Sequence, residues 1–129
     1  MPYTINWEER GVHCEFFGTC TIKDLVAVFT EIGQDRRFPD LRYQIFDYLA
    51  VEDHFVTKEQ LTELAALSYA HALTNPRAKR VSVSNDARIE QLISYYISVN
   101  ENPHKQKFCR TLHDARDWIS ESGNENARL

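Results

Sequence analysis

The chain has 129 residues, with 19 acidic against 15 basic side chains and a formal net charge of −4. That length fits one hydrophobic core, since single domains run ~100–200 residues. The acidic balance excludes a general nucleic-acid binder, whose footprint is basic. Hydrophobic residues at 43% and charged residues at 26% describe a soluble globular chain, and no apolar run reaches the ~18 residues that span a bilayer. The start MPYTINWEER has no signal-peptide pattern, and Cys14, Cys20 and Cys109 follow neither CxxC nor zinc spacing. Reduced thiols in a cytoplasmic protein are the expectation. The layout expected is one domain over residues 1–120 and a polar, flexible tail at 121–129 that carries Gly123.

In chain order, Tyr3–Glu8 and Val12–Phe17 read as two strands joined through Glu9-Arg10-Gly11, with Gly11 supplying a positive φ for the turn. They form an antiparallel hairpin. Gly18-Thr19-Cys20 then breaks the strand, and Thr21 caps a helix with Asp24 in its first turn. Leu25, Val28, Phe29 and Ile32 fall on one helical stripe that ends near Gly33. Arg36–Asp40 is a loop, because Pro39 pushes the residue before it out of helical geometry. Leu41–Leu49 has apolar residues of both parities, as expected of a strand buried on both faces at the centre of a sheet.

Thr57 with Gln60 three residues on is a capping-box signature, opening a helix with Leu61, Leu64, Ala65, Ser68 and Ala72 on one face. Asn75-Pro76 stops it. Lys79–Ser84 is a short strand with Val81 and Val83 on one face. Asp86 caps a third helix, whose stripe is Ile89, Leu92, Ile93, Tyr96 and Ile97. Asn100–His104 is a loop, Gln106–Arg110 the last strand, and Thr111 caps a closing helix that faces Ala115, Trp118 and Ile119 inward. The order is ββαβαβαβα, which implies a five-stranded mixed sheet with an antiparallel N-terminal edge strand, parallel strands thereafter and four helices. Ligands and partners meet such sheets at the loops after the strand carboxyl ends, here Gly18–Thr21, Leu49–Val56, Ser84–Asp86 and Arg110–Thr111.

Chemistry has few places to sit. Gly18 stands alone, with neither GxGxxG nor GxxxxGK[ST] around it, so no nucleotide cofactor is expected. Asp47 with Glu52-Asp53-His54 has the donor types to share a divalent cation, but contiguous residues rarely converge on one ion. A solvated acidic loop is the expectation there, with no metal. Cys20 lies at a helix N-terminus, where a thiol can be activated, yet nothing sets His13 or His113 beside it as a base. No catalytic residues are assigned. Arg36, Arg37, Arg42, Arg77, Lys79 and Arg80 gather in the loops before the third and fourth strands and read as solvated charge. Tyr96 belongs to the core stripe of the third helix and Tyr95 lies off it.

The stretch Phe17-Gly18-Thr19-Cys20-Thr21-Ile22-Lys23-Asp24-Leu25, then Asp35-Arg36-Arg37-Phe38, then Leu41–Asp47, resembles the SpoIIAA-like family of the STAS superfamily. Leu64-Ala65-Ala66-Leu67, Thr74-Asn75-Pro76-Arg77 and the ending Phe108-Cys109-Arg110-Thr111-Leu112 through Ile119 look like its remaining signatures. The resemblance runs from Tyr3 to Ile119. It implies a β–α superhelix, small bacterial cytoplasmic relatives and, for some of them, an association with lipid-binding domains. Anti-sigma antagonists of this kind carry a phosphorylatable serine at the start of the helix after the central strand. Here Tyr48–Thr57 holds no serine, and Thr57 is the only hydroxyl near that helix start. Glu52 and Asp53 beside it oppose a phosphate.

The function the resemblance implies is a non-enzymatic regulatory or protein-interaction module without the phosphoserine switch. Its partner is another protein or a second copy of the chain. Carriage of a lipid or other apolar small molecule is the alternative. The expected contact surface is Asp47, Leu49, Val51, His54, Phe55, Val56 and Thr57, where Val51, Phe55 and Val56 are apolar anchors between charged neighbours.

Overall fold

Ten elements follow one another in the computed structural model, which describes the backbone of residues 2–100 and 105–128 and side chains as far as residue 121. They are β1 (Tyr3–Glu8), β2 (Gly11–Thr21), α1 (Ile22–Gln34), a 3₁₀ turn (Phe38–Asp40), β3 (Tyr43–Phe55), α2 (Lys58–Thr74), β4 (Lys79–Val83), α3 (Ala87–Ser98), β5 (Gln106–Cys109) and α4 (Leu112–Arg128). The strands lie in the sheet in sequence order, β1 antiparallel to β2 and every later pair parallel. This is the mixed five-stranded sheet with four helices that the alternation of elements implies, and β3 is at its centre.

Strand parity distributes the core between the two faces of the sheet. Val12, Cys14, Phe16 and Phe46 point to one face, where Leu25, Val28 and Ile32 of α1 and Leu61 and Leu64 of α2 cover them. Tyr96 of α3 closes the same cluster. Burying such side chains stabilises the fold by roughly 1.5–3 kcal/mol each. Phe16 and Tyr48 add a near-parallel stack, 4.9 Å between centroids. On the opposite face Ile45, Val81, Val83 and Cys109 meet Ala115, with Trp118 and Ile119 of α4 packed around them.

Helix boundaries follow their caps. Thr21 and Asp24 form a capping box on α1, Thr57 and Gln60 one on α2, and Asp86 accepts from the Arg88 amide at the head of α3. The Thr111 hydroxyl accepts from the Asp114 amide at the head of α4.

Three expectations are corrected. Gly18-Thr19-Cys20 does not end β2, which runs on to Thr21, and Leu49–Val56 is not a loop, since β3 continues to Phe55. The extensions pair with each other, Phe17 opposite Ala50 and Thr21 opposite Phe55, past register shifts at Glu15/Phe17 and Gly18/Thr19. Gly18 takes φ +67° beside the second shift, so the glycine absorbs an irregularity in a strand instead of ending it. Gly11 does not supply the positive φ of the hairpin: Arg10 does, at φ 59°. Gly11 is needed for space, because a Cβ there would lie 2.0 Å from Cζ of Tyr43. The helix α4 runs from Leu112 to Arg128 and passes through Gly123. A glycine weakens a helix by ~1 kcal/mol without breaking it. Of the loop expected at Asn100–His104, residues 101–104 lie outside the described residues.

Candidate functional site

Beyond Phe16 on one strand and Tyr48 on the next, β2 and β3 project as a two-stranded parallel ribbon. The last β3 residue paired with β4 is Asp47, opposite Val83, and the last β2 residue paired with β1 is Phe16, opposite Tyr3. The ribbon ends at the caps of α1 and α2. Its alternation divides the seven expected contact residues. Val51, His54 and Val56 face inward and line a cavity beneath the ribbon, whereas Leu49 and Phe55 face solvent, Phe55 with 68% of its surface exposed. Thr57 is exposed and its hydroxyl accepts from the Gln60 amide at 3.2 Å, while the Gln60 side chain accepts from the Thr57 amide at 3.0 Å.

Asp47 belongs to neither group. It points to the face of the sheet that carries α4, where its Oδ2 lies 3.0 Å from Nε2 of His13 and its Oδ1 accepts from the Leu49 amide at 3.0 Å. Glu15 is its cross-strand neighbour. Asp47 thus meets His13 and Glu15 and not Glu52-Asp53-His54. The ligating atoms of the three lie within 4.8 Å of one another. Both oxygens of the buried Asp47 are already engaged by protein donors, which accounts for the pair without an ion.

The cavity has a volume of about 60 Å³ and lies between the sheet and helices α1, α2 and α3. Phe29, Phe46, Tyr48, Leu64 and Ile93 give it an apolar wall, and Phe29 and Phe46 pack with ring centroids 5.0 Å apart. Arg80 enters this wall from β4. It is 6% exposed, its guanidinium carbon stands 5.9 Å from the Phe29 ring centroid, and it donates to the Tyr96 hydroxyl, which also bonds Ser68 Oγ. No carboxylate pairs with Arg80 among the described residues. Burial pulls its pKa below the ordinary arginine value, and the Tyr96 hydroxyl only partly opposes that. Next to it across the β3–β4 pair is Gln44, 2% exposed, whose Nε2 has no hydrogen-bond partner among the described residues.

Arg80 is therefore no member of a solvated basic patch. The other charges expected there do lie outside: Arg37 forks onto Asp35 at 2.8 and 2.9 Å and covers the Trp7 ring at 3.9 Å, and Arg77 donates to the Pro39 carbonyl. Sequence reasoning missed Arg80 because arginine is almost never buried without a partner. The available signal was parity: Val81 and Val83 occupy one face of β4, which sends Arg80 and Ser82 to the face under α1–α3. Cys20, considered above as an activated thiol, is buried in the same cavity wall, and burial raises its pKa to about 12. A thiol so held is protonated at neutral pH and is not nucleophilic.

Sequential strands with three crossover helices on one face and a closing helix on the other form a β–α superhelix. Among solved structures the chain is similar to the anti-sigma factor antagonist SpoIIAA in its unphosphorylated form, with a TM-score of 0.60 and 9% sequence identity over 92% of this chain and 97% of that one. The fold is thus SpoIIAA-like, as the sequence motifs imply. No family model and no curated protein matches the sequence. No helix among the described residues is long and apolar enough to cross a membrane.

Proposed function

We propose that the protein is a non-enzymatic, STAS-like regulatory module of the bacterial cytoplasm that works by docking another protein or a second copy of itself. The observation that carries this reading is Phe55, a large aromatic with 68% of its surface exposed at the tip of the β2–β3 ribbon, beside the cap of α2. Aromatic side chains held out on rigid elements are typical anchors of protein interfaces. Leu49, the second outward apolar residue of β3, extends the surface. The SpoIIAA-like scaffold supports the same reading. Thr57 enters as a cap, its hydroxyl engaged by the Gln60 amide, so no phosphorylation switch forms part of the proposal.

A photo-crosslinker placed at Phe55 tests the proposal in bacterial cytosol, with one at the exposed Lys107 of β5 as control. A specific adduct at Phe55 alone, whether to another protein or to a second copy, is expected. Phe55→Asp should abolish the underlying association with an unchanged melting temperature. Equal crosslinking at both positions, or binding indifferent to Phe55→Asp, overturns it.

The cavity favours a second reading, carriage of a lipid or other apolar small molecule. Its wall is mainly apolar, and Val51, His54 and Val56 are part of it.

A further inference from the structure

A buried guanidinium costs several kcal/mol in lost hydration unless charge or hydrogen bonds replace the water. Among the described residues the replacement around Arg80 is incomplete. There one tyrosine hydroxyl and one aromatic face contact it, and neither supplies a negative charge. Beside it the Gln44 amide nitrogen is a second buried donor without an acceptor among the described residues. Arg80, a buried donor with no anion beside it among the described residues, lines a cavity whose remaining wall is mainly apolar, and Gln44 stands next to Arg80 outside that lining. A ligand that satisfies both features carries its charge at one end and hydrocarbon at the other.

We propose that this cavity binds a small apolar carboxylate, the carboxylate accepting hydrogen bonds from the Arg80 guanidinium and the tail lying among Phe29, Phe46, Leu64 and Ile93. A planar carboxylate matches the fork of a guanidinium, and the pairing is strongest where water is excluded. About 60 Å³ suits a short or branched tail. An engineered cavity of ~150 Å³ accepts benzene, so this one takes something slimmer unless its mouth opens. On the side of His54 and Leu92 the cavity adjoins an open surface groove that also carries Asp53, Lys58, Arg88 and Glu90. A longer fatty acid would run out along this route. The proposal rests on the second reading above, because it presumes that the cavity is filled by a small molecule.

Isothermal titration of the full chain with isovalerate, octanoate and the neutral 3-methyl-1-butanol tests both. The variants are Arg80→Met, which keeps the bulk and removes the charge, and Arg80→Lys, which keeps the charge. Isovalerate should bind the wild type, bind Arg80→Met at least about tenfold more weakly and recover in part with Arg80→Lys. The neutral alcohol should bind Arg80→Met at least as well as wild type. The melting temperature of Arg80→Met without ligand should be unchanged or higher, since an uncompensated charge has left the interior. A marked fall in that temperature would make Arg80 a structural residue and overturn the assignment. Equal affinity of wild type for isovalerate and for the alcohol removes Arg80 from recognition while leaving the carrier reading standing. No binding of any of the three removes both. Octanoate binding more tightly than isovalerate identifies the ligand class as fatty acid, and the reverse order identifies a short-chain acid; either order requires Arg80.

Discussion

Glu8 and Arg116, 108 residues apart in sequence, join the first strand to the last helix through two parallel hydrogen bonds of 2.7 Å each. The Tyr43 hydroxyl donates to the same carboxylate from β3, so one side chain ties together three elements that are not neighbours in the chain. The hydrogen bonds from Arg116 hold the Glu8 pKa down at about 2 against an ordinary 4.5, with Tyr43 adding to the effect and burial opposing it. A depressed folded-state value means that the stabilisation is complete above pH 4.5 and is lost as pH falls from there towards 2. Glu8→Gln should cost about 1 kcal/mol at neutral pH, the upper end for a partly exposed pair, because the contact is bidentate. Urea unfolding of both proteins across this range should show the difference shrinking as acid is added. A difference independent of pH would assign the loss to packing.

Thr57 offers a sharper separation of roles. As a cap, its replacement by Ala should cost roughly 1 kcal/mol, Thr57→Ser little, and Thr57→Asp little again because aspartate also caps and suits a helix N-terminus. If the hydroxyl is instead a phosphorylation site that controls docking, Thr57→Asp would abolish partner binding at an unchanged melting temperature. Thermal melts and binding measured on the same three variants distinguish these outcomes, and the capping box at the head of α2 favours the first.

Two glycines should fail as alanines for different reasons. At Gly11 the added methyl overlaps the Tyr43 ring, whose hydroxyl is tethered to Glu8, so Gly11→Ala should cost ~1–3 kcal/mol by overpacking. At Gly18 there is open space, yet the backbone is at φ +67°, so Gly18→Ala should cost ~1 kcal/mol through conformation alone. A Gly11→Ala, Tyr43→Ala double variant should recover part of the loss at the first site. Nothing comparable can rescue the second.

His13 and Asp47 make a fourth test. Asp47→Ala strands the Leu49 amide and the buried His13 ring, and should cost ~1–3 kcal/mol by chemical denaturation. Glu15→Ala, at the more open member of the same group, should stay within ~0.5 kcal/mol. A large loss from Glu15→Ala would show that the three act together.

What the sequence made legible was whatever local chemistry decides. The hydroxyl or carboxylate caps at Thr21, Thr57, Asp86 and Thr111 mark helix starts by themselves, and the two-sided apolar run around Ile45 and Phe46 marks a central strand. Glu52 and Asp53 read as loop because an isolated propensity knows nothing of a partner strand. In the fold, the extended β2 lies alongside them and supplies the ladder. Arg80 was hidden for a related reason: its burial comes from helices that arrive from elsewhere in the chain. Within the expected contact segment, the direction of the side chains was not legible. Val51, His54 and Val56 turn under the ribbon while Leu49 and Phe55 turn out, a division set by a register that only the pairing reveals.

The unaccompanied ribbon carries a consequence for amide exchange with solvent. Along a strand, successive backbone groups turn to opposite sides. On β3 beyond Asp47, one set of N–H groups therefore points to β2 and the other to the side where β4 has already ended. Deuterium uptake across residues 49–55 should split into slow and fast positions, broken in phase where the register shifts, while residues 43–47, flanked by strands on both sides, exchange uniformly slowly. A partner that added its own strand along the free side would slow the fast set and leave the slow set as it was.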